Sequence, residues 1–123
     1  MTFVLRKEER VIAFHSLTVG EIVNLEADAR LRAGMGNYAI PVLILARMGV
    51  HKDFQGLGFG SALLRDAIER TFVISENAGV RALITHPIDA SAKAFYLKFG
   101  FSENPNRPHE LYLLPKDAAK RLR

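Results

Sequence analysis

The chain has 123 residues, 17 of them basic and 13 acidic, for a formal charge of +4, and it contains no cysteine. That length supports one core rather than two, so a single domain over residues 1–123 is expected. The lack of cysteine excludes disulfides, thiolate nucleophiles and Cys-based metal sites. No apolar run approaches the roughly 20 residues of a membrane span and no signal peptide opens the chain, which predicts a soluble, cytoplasmic protein with no membrane contact. The basic surplus favours polyanionic partners only weakly, because a small surplus is usually a solvated surface.

Taken in order, Thr2–Leu5 and Val11–Leu17 are β-rich runs around the charged turn Arg6–Arg10, the pattern of an antiparallel hairpin. Glu21 to Arg32 has helical composition with few apolar residues, and Gly34-Met35-Gly36-Asn37 breaks it. Ile40 to Val50 is a continuous apolar run, which predicts a central strand buried on both faces. Gly49 near its end marks a bulge or the close approach of a ligand. Next comes His51-Lys52-Asp53-Phe54-Gln55-Gly56-Leu57-Gly58-Phe59-Gly60-Ser61, with glycine at every second position from 56 to 60.

Beyond it, Leu63, Leu64, Ala67, Ile68, Thr71 and Phe72 recur at helical spacing. Asp66 and Arg70 stand four apart on the other face, and Gly79 ends the helix. Val80 to His86 reads as a buried strand stopped by Pro87. A second helix follows, with Asp89 as its N-cap, Phe99 as its last residue and Gly100 as its terminator. The segment 104–108 reads as a loop, His109 to Leu114 as a last strand, and Lys116 to Arg123 as a basic tail. The order is that of an α/β fold with a parallel βαβ unit in its middle.

The glycine stretch carries the chemistry. Glycines at this spacing bare the backbone, and the helix behind them adds unpaired N–H groups and the positive end of its dipole. Together these suit a pyrophosphate, although close packing of helix on strand also calls for glycine. The P-loop pattern fails, because Ser61-Ala62 follow the last glycine where Lys and Ser or Thr are needed. The dinucleotide fingerprint fails too, because the glycines fall at 56, 58 and 60. Four histidines, at 15, 51, 86 and 109, show no paired spacing, so no metal site is expected. A serine hydrolase elbow is also missing.

Gln55, Gly58 and Gly60 do fit Gln-x-x-Gly-x-Gly, which resembles the acetyl-CoA loop of the GNAT N-acetyltransferases. The resemblance implies a mixed α/β sheet whose central βαβ unit binds acetyl-CoA. It implies that backbone groups of Gln55, Gly56, Leu57, Gly58, Phe59, Gly60 and Ser61 hold the pyrophosphate. The strand edge at Met48, Gly49 and Val50 would pair with pantetheine, with Phe95 and Asp89 beside it. Capping its helix explains Asp89 equally well. Tyr96, in the cluster Phe95-Tyr96 to Gly100-Phe101, would protonate the departing thiolate; its bland alternative is core packing.

Within that family, residues Thr2 to Leu114 resemble the toxins of toxin–antitoxin pairs that acetylate aminoacyl-tRNA. The likeness rests on the Pro41 to Val50 strand, the glycine loop, Leu63-Leu64-Arg65-Asp66-Ala67 and the Tyr96 cluster. It implies an aminoacyl-tRNA acceptor, a ribbon-helix-helix antitoxin and a homodimer. Arg47, Lys52 and Lys93 are the candidate acceptor-binding residues, and Arg107 and the tail extend the basic surface. An α-amino group with a pKa of roughly 7.7–8.0 is partly neutral at pH 7, so direct attack on the thioester needs no strong base.

Such chains usually carry a strand and two helices ahead of the first strand seen here, so a fold lacking them is expected. Met48-Gly49-Val50 replaces the usual Leu-Ala-Val, and Thr85-His86-Pro87 is an unusual strand end. Two alternatives stay open: an acetylase of small amines or protein N-termini, and a non-catalytic remnant that binds CoA or an antitoxin.

Overall fold

The computed structural model describes residues 1–22 and 40–117, and their side chains except at 75–78. Among the described residues, these elements follow one another: β1 (Thr2–Lys7), β2 (Arg10–Ile22), β3 (Ile40–Val50), α1 (Phe59–Ala78), β4 (Ala82–Thr85), α2 (Ala90–Lys98), β5 (Ser102–Asn104) and β6 (Arg107–Leu113), with residues 115–117 helical after them. They build one sheet in the order β1-β2-β3-β4-β6-β5. Only β3 and β4, the pair joined through α1, run parallel. The expected hairpin, central strand and βαβ unit are all present, giving a mixed α/β fold.

Helix α1 buries the face its spacing predicts. Leu63, Leu64, Ala67, Ile68 and Thr71 lie in the interior, and Gly79 closes the helix with a left-handed φ of 70°. On one side of the sheet, Leu64, Ala67 and Ile68 pack with Leu43, Leu45 and Leu83 and with Tyr96 and Phe101 from the end of α2. On the other side Val42 and Ile84 meet Tyr112 and Leu114. Strand β3 is therefore covered on both faces over its first half, with Ile40, Val42, Leu43 and Leu45 buried, whereas Ala46 and Arg47 are exposed, so the expected burial does not extend to Val50.

Several boundaries differ from the sequence reading. Strand β2 runs on to Ile22, so Glu21 and Ile22 are strand rather than helix; they pair with Pro41 and Ile40 of β3. The cross-strand ladder outweighs the local helical composition there. The remainder of the expected helical segment lies outside the described residues. Residues 102–107 form a short hairpin rather than a loop, and β6 starts at Arg107 instead of His109. Asn104 makes the turn by accepting from the backbone N–H of Asn106 at 3.0 Å. The tail beyond 117 is likewise outside the described residues.

The bulge expected at Gly49 lies three residues earlier. Leu17 pairs with Leu45 and Ser16 with Arg47, which leaves Ala46 as the extra residue of β3. Gly49 has another reason: a Cβ there would stand 2.9 Å from Cε1 of Phe14. Its missing side chain makes room for that ring. Strand β3 also loses β4 at this point, because the parallel ladder ends at the pair Leu45 and Thr85. From Ala46 to Val50, β3 keeps β2 on one side and, among the described residues, has no strand on the other.

Candidate active site

The gap left by β4 opens into a cavity of about 880 Å³. That is within the size range of small-molecule sites. Leu45, Ala46, Arg47 and Met48 line its β3 wall, Gln55 and Gly56 one end, and His86 to Asp89 the opposite wall. Phe95 and Tyr96 project into it from α2. Residues drawn from β3, the glycine loop and α2 thus meet in one cleft, although up to 51 positions separate them in sequence (45 to 96).

The glycine loop turns through left-handed conformations at Gly56 (φ 77°) and Gly58 (φ 89°). A Cβ added at Gly56, Gly58 or Gly60 would meet no protein atom within 4 Å. Packing of helix against strand therefore does not explain these glycines. They border open space, and the helix that starts there has no side-chain cap on its N–H groups. A pyrophosphate fits such a place, since it would receive the N–H groups that the protein leaves unpaired.

Gly58 and Ser61 border a second, shallower cavity of about 490 Å³ together with Arg65. Arg65, one turn into α1, is the cation nearest in sequence to this part of the loop, and sequence reasoning passed over it. Gln55 is held by its own side chain, whose amide donates to the Val50 carbonyl at 3.0 Å. Leu57 is exposed.

Tyr96 is 8% exposed, with its ring edge-on to Phe95 and Phe101 at centroid distances of 5.5 Å. Rings packed on both sides fix its orientation, while one edge borders the cavity. The core-packing and site-lining descriptions of this residue hold together. Asp89 caps α2, accepting from the N–H of Ala92 at 2.7 Å, and also borders the cavity.

The three candidate acceptor residues part company. Arg47 lines the cavity from β3 and is exposed. Lys52 sits on a 3-10 turn at Lys52–Phe54, exposed and away from that lining. Lys93 faces Glu103, with Nζ and Oε1 2.6 Å apart, so its charge is already paired.

Two features escaped the sequence reading. His86, half-exposed in the cavity wall, places Nε2 3.5 Å from Oε2 of the buried Glu110, and Nε of Arg107 contacts the same oxygen at 2.7 Å. The only sequence signal was the unusual strand end at Thr85-His86-Pro87. His15, fully buried on β2, bonds Asp66 of α1 through Nε2 at 2.7 Å, and Arg70 adds 2.8 Å to the same oxygen. Burial raises the pKa of Asp66, but the bonds from His15 and Arg70 outweigh it and hold the carboxyl below its ordinary value. This cluster ties α1 to the sheet two turns beyond the glycine loop.

Among the described residues no group of three His, Cys, Asp or Glu side chains is arranged to hold a metal ion. Also among them, no helix is long and apolar enough to cross a membrane.

Residues 1–103 match the model of the acetyltransferase (GNAT) domain family. A "tRNA-acetylating toxin" of Mycobacterium tuberculosis is 40% identical over 116 residues, which are 94% of this chain and 69% of the relative. Among solved structures, AtaT complexed with acetyl-methionyl-tRNAfMet matches with a TM-score of 0.86 at 19% identity, over 99% of this chain and 75% of that one. AtaTR bound with AcCoA matches with a TM-score of 0.76 at 21% identity, over 99% and 71%. The chain spans about two thirds of the length of the relatives it matches. The solved structures share the fold, and the family match over residues 1–103, beside a relative 40% identical, gives the answer: this chain belongs to the GNAT acetyltransferase family.

Proposed function

We propose that this chain moves the acetyl group of acetyl-CoA to the amino group of an aminoacyl-tRNA, and so blocks translation. The observation that carries this reading is the cleft where β3 parts from β4. It has the bare glycine turn at one end and Tyr96 in its wall, in a chain 40% identical to a protein named a tRNA-acetylating toxin. In this reading the free edge of β3 at Met48 to Val50 offers backbone groups to the pantetheine arm. The N–H groups from Gln55 to Ser61, with Arg65 nearby, take the pyrophosphate. Phe95 and Asp89 line the arm's path. The amine attacks the thioester directly, and the Tyr96 hydroxyl gives its proton to the leaving sulfur.

Arg47 is the cation best situated for a phosphate of the acceptor, with Lys52 further out and Lys93 restrained by Glu103. The solved relatives include a KacTA–DNA complex and the AtaT–AtaR complex bound to DNA. AtaT is also solved bound to the C-terminus of the antitoxin AtaR, which supports an antitoxin as partner of this chain. The resemblance in sequence carries the rest of the reading: a ribbon-helix-helix class for that antitoxin, a homodimer, and a single domain at work in the cytoplasm. An acetylase of small amines is the second reading, favoured by the ion pair that already occupies Lys93.

Acetylation of charged tRNA, followed at rising salt, separates the two. Counterion release makes binding of a phosphate backbone fall steeply with salt. Transfer to charged tRNA that weakens with salt and with Arg47→Glu supports the proposal. Rates indifferent to both leave a small-molecule acetyltransferase.

A further inference from the structure

We propose that His86 takes the proton released by the attacking amine, with Glu110 as the residue that positions its ring. The inference deepens the acetyl-transfer reading above and rests on it. Attack by a neutral amine leaves a positive nitrogen that must lose a proton before the amide is formed. Tyr96 is assigned the opposite task, giving a proton to sulfur, and one hydroxyl cannot do both in the same step. Water can take that proton, but a positioned group in the same cavity takes it faster, and imidazole is the side chain suited to proton exchange near neutral pH.

The geometry singles out His86. It stands at the end of β4 and lines the cavity that Tyr96 also lines. Its Nε2 faces Oε2 of Glu110 at 3.5 Å, and that carboxylate is 5% exposed and held through the same oxygen by Nε of Arg107 at 2.7 Å. With one ring nitrogen directed at a carboxylate, the other, Nδ1, carries the lone pair. Contacts of this kind are often long before substrate arrives. Asp89 and Arg47 are the other charged residues of the cavity wall; Asp89 is engaged with the N–H of Ala92. His15 and Asp66, the histidine–carboxylate pair between β2 and α1, do not border this cavity.

The amine nitrogen bonds to the acetyl carbon and the carbon–sulfur bond breaks, its electron pair leaving with sulfur. Sulfur takes the Tyr96 proton and His86 takes the proton from nitrogen. Release of that proton to water and recovery of one by the Tyr96 phenolate reset both groups.

The test uses the whole chain with acetyl-CoA and charged tRNA. His86→Ala should lower kcat by about 10²-fold, the low end for proton-transfer catalysis because the amine is partly neutral already, with KM for acetyl-CoA unchanged. Added imidazole should restore part of the loss, which it cannot do for a residue that only supports the fold. Glu110→Ala keeps the imidazole and should lower kcat less, while nitrogen-15 spectra show the single Nε2–H tautomer of the parent becoming mixed. A parent that transfers no acetyl group overturns the acetyl-transfer reading and this inference with it. A parent that acetylates, paired with an unaffected His86→Ala or with a loss that imidazole does not rescue, overturns this inference alone.

Discussion

Gly60→Ala separates the stability of the fold from its capacity to hold a phosphate. Gly60 is the second residue of α1, its φ is not left-handed, and a Cβ there would meet no protein atom within 4 Å. Alanine is therefore unstrained and should gain helix propensity. Glycine in a helix interior costs about 0.5–1 kcal/mol relative to alanine, and the first turn takes the low end. With an unfolding entropy of about 2.1 cal/mol/K per residue, 0.5 kcal/mol corresponds to a rise in Tm of about 2 °C for a chain of this size.

The same methyl would occupy the space in front of the helix N–H groups. Loss of one hydrogen bond to a charged group costs about 1.5–3 kcal/mol, or roughly ten- to a hundredfold in affinity. Calorimetry with acetyl-CoA and a melting curve, run on the same sample, read both terms. A variant that melts higher and still binds acetyl-CoA like the parent would refute the cradle. Gly58 cannot serve for this test, since its φ of 89° makes any side chain strained whatever is bound.

Tyr96→Phe keeps the ring contacts with Phe95 and Phe101, so stability and acetyl-CoA affinity should hold while kcat falls by about 10²–10⁴-fold; an unchanged kcat leaves Tyr96 a packing residue. Gly49→Ala puts a methyl 2.9 Å from the Phe14 ring, which lines the donor cavity, and overpacking of this kind costs about 1–3 kcal/mol. Its melting temperature should drop and KM for acetyl-CoA should rise; a neutral result means Phe14 moves freely. Asp66 has a lowered pKa when folded, so the stability it contributes is present above the unfolded value near 3.8 and is lost as pH falls through the folded value. Melting curves taken from pH 7 downward should fall more steeply for the parent than for Asp66→Asn, and parallel slopes would contradict the assignment.

Where local pattern and tertiary contact agree, the fold was legible from the chain. The apolar run of β3, the helical face from Leu63 to Thr71, and the caps at Asp89, Gly79 and Gly100 are all set by residues within a turn or two of one another. Strand β5 was not legible, since Ser102-Glu103-Asn104 has no apolar alternation and exists as a strand only because β6 pairs with it. Glu21 and Ile22 misled for the same reason. In the candidate site, Gln55, Gly58, Gly60 and Tyr96 were singled out by their motif spacing; Gln55 and Tyr96 line the main cavity, and Gly58 borders the smaller one. His86 and Glu110 belong to no motif, since helix α2 and the β5–β6 hairpin bring them together across 24 positions, which no local spacing records.

The extra residue in β3 bears on insertions and deletions. Leu43 and Leu45 before it, and Met48 and Val50 after it, all turn toward the side where α1 packs. A chain shortened by Ala46 alone would alternate without interruption and still present those four side chains to that side. Neither hydrophobic layer would need a new residue. Bulges bend the strand that carries them, so a β3 without Ala46 would run straighter alongside the line of β4, where the cleft now opens. A one-codon deletion at this point would therefore give a protein that folds and cannot accept its donor, so the residue added at position 46 divides what the sheet needs from what the site needs.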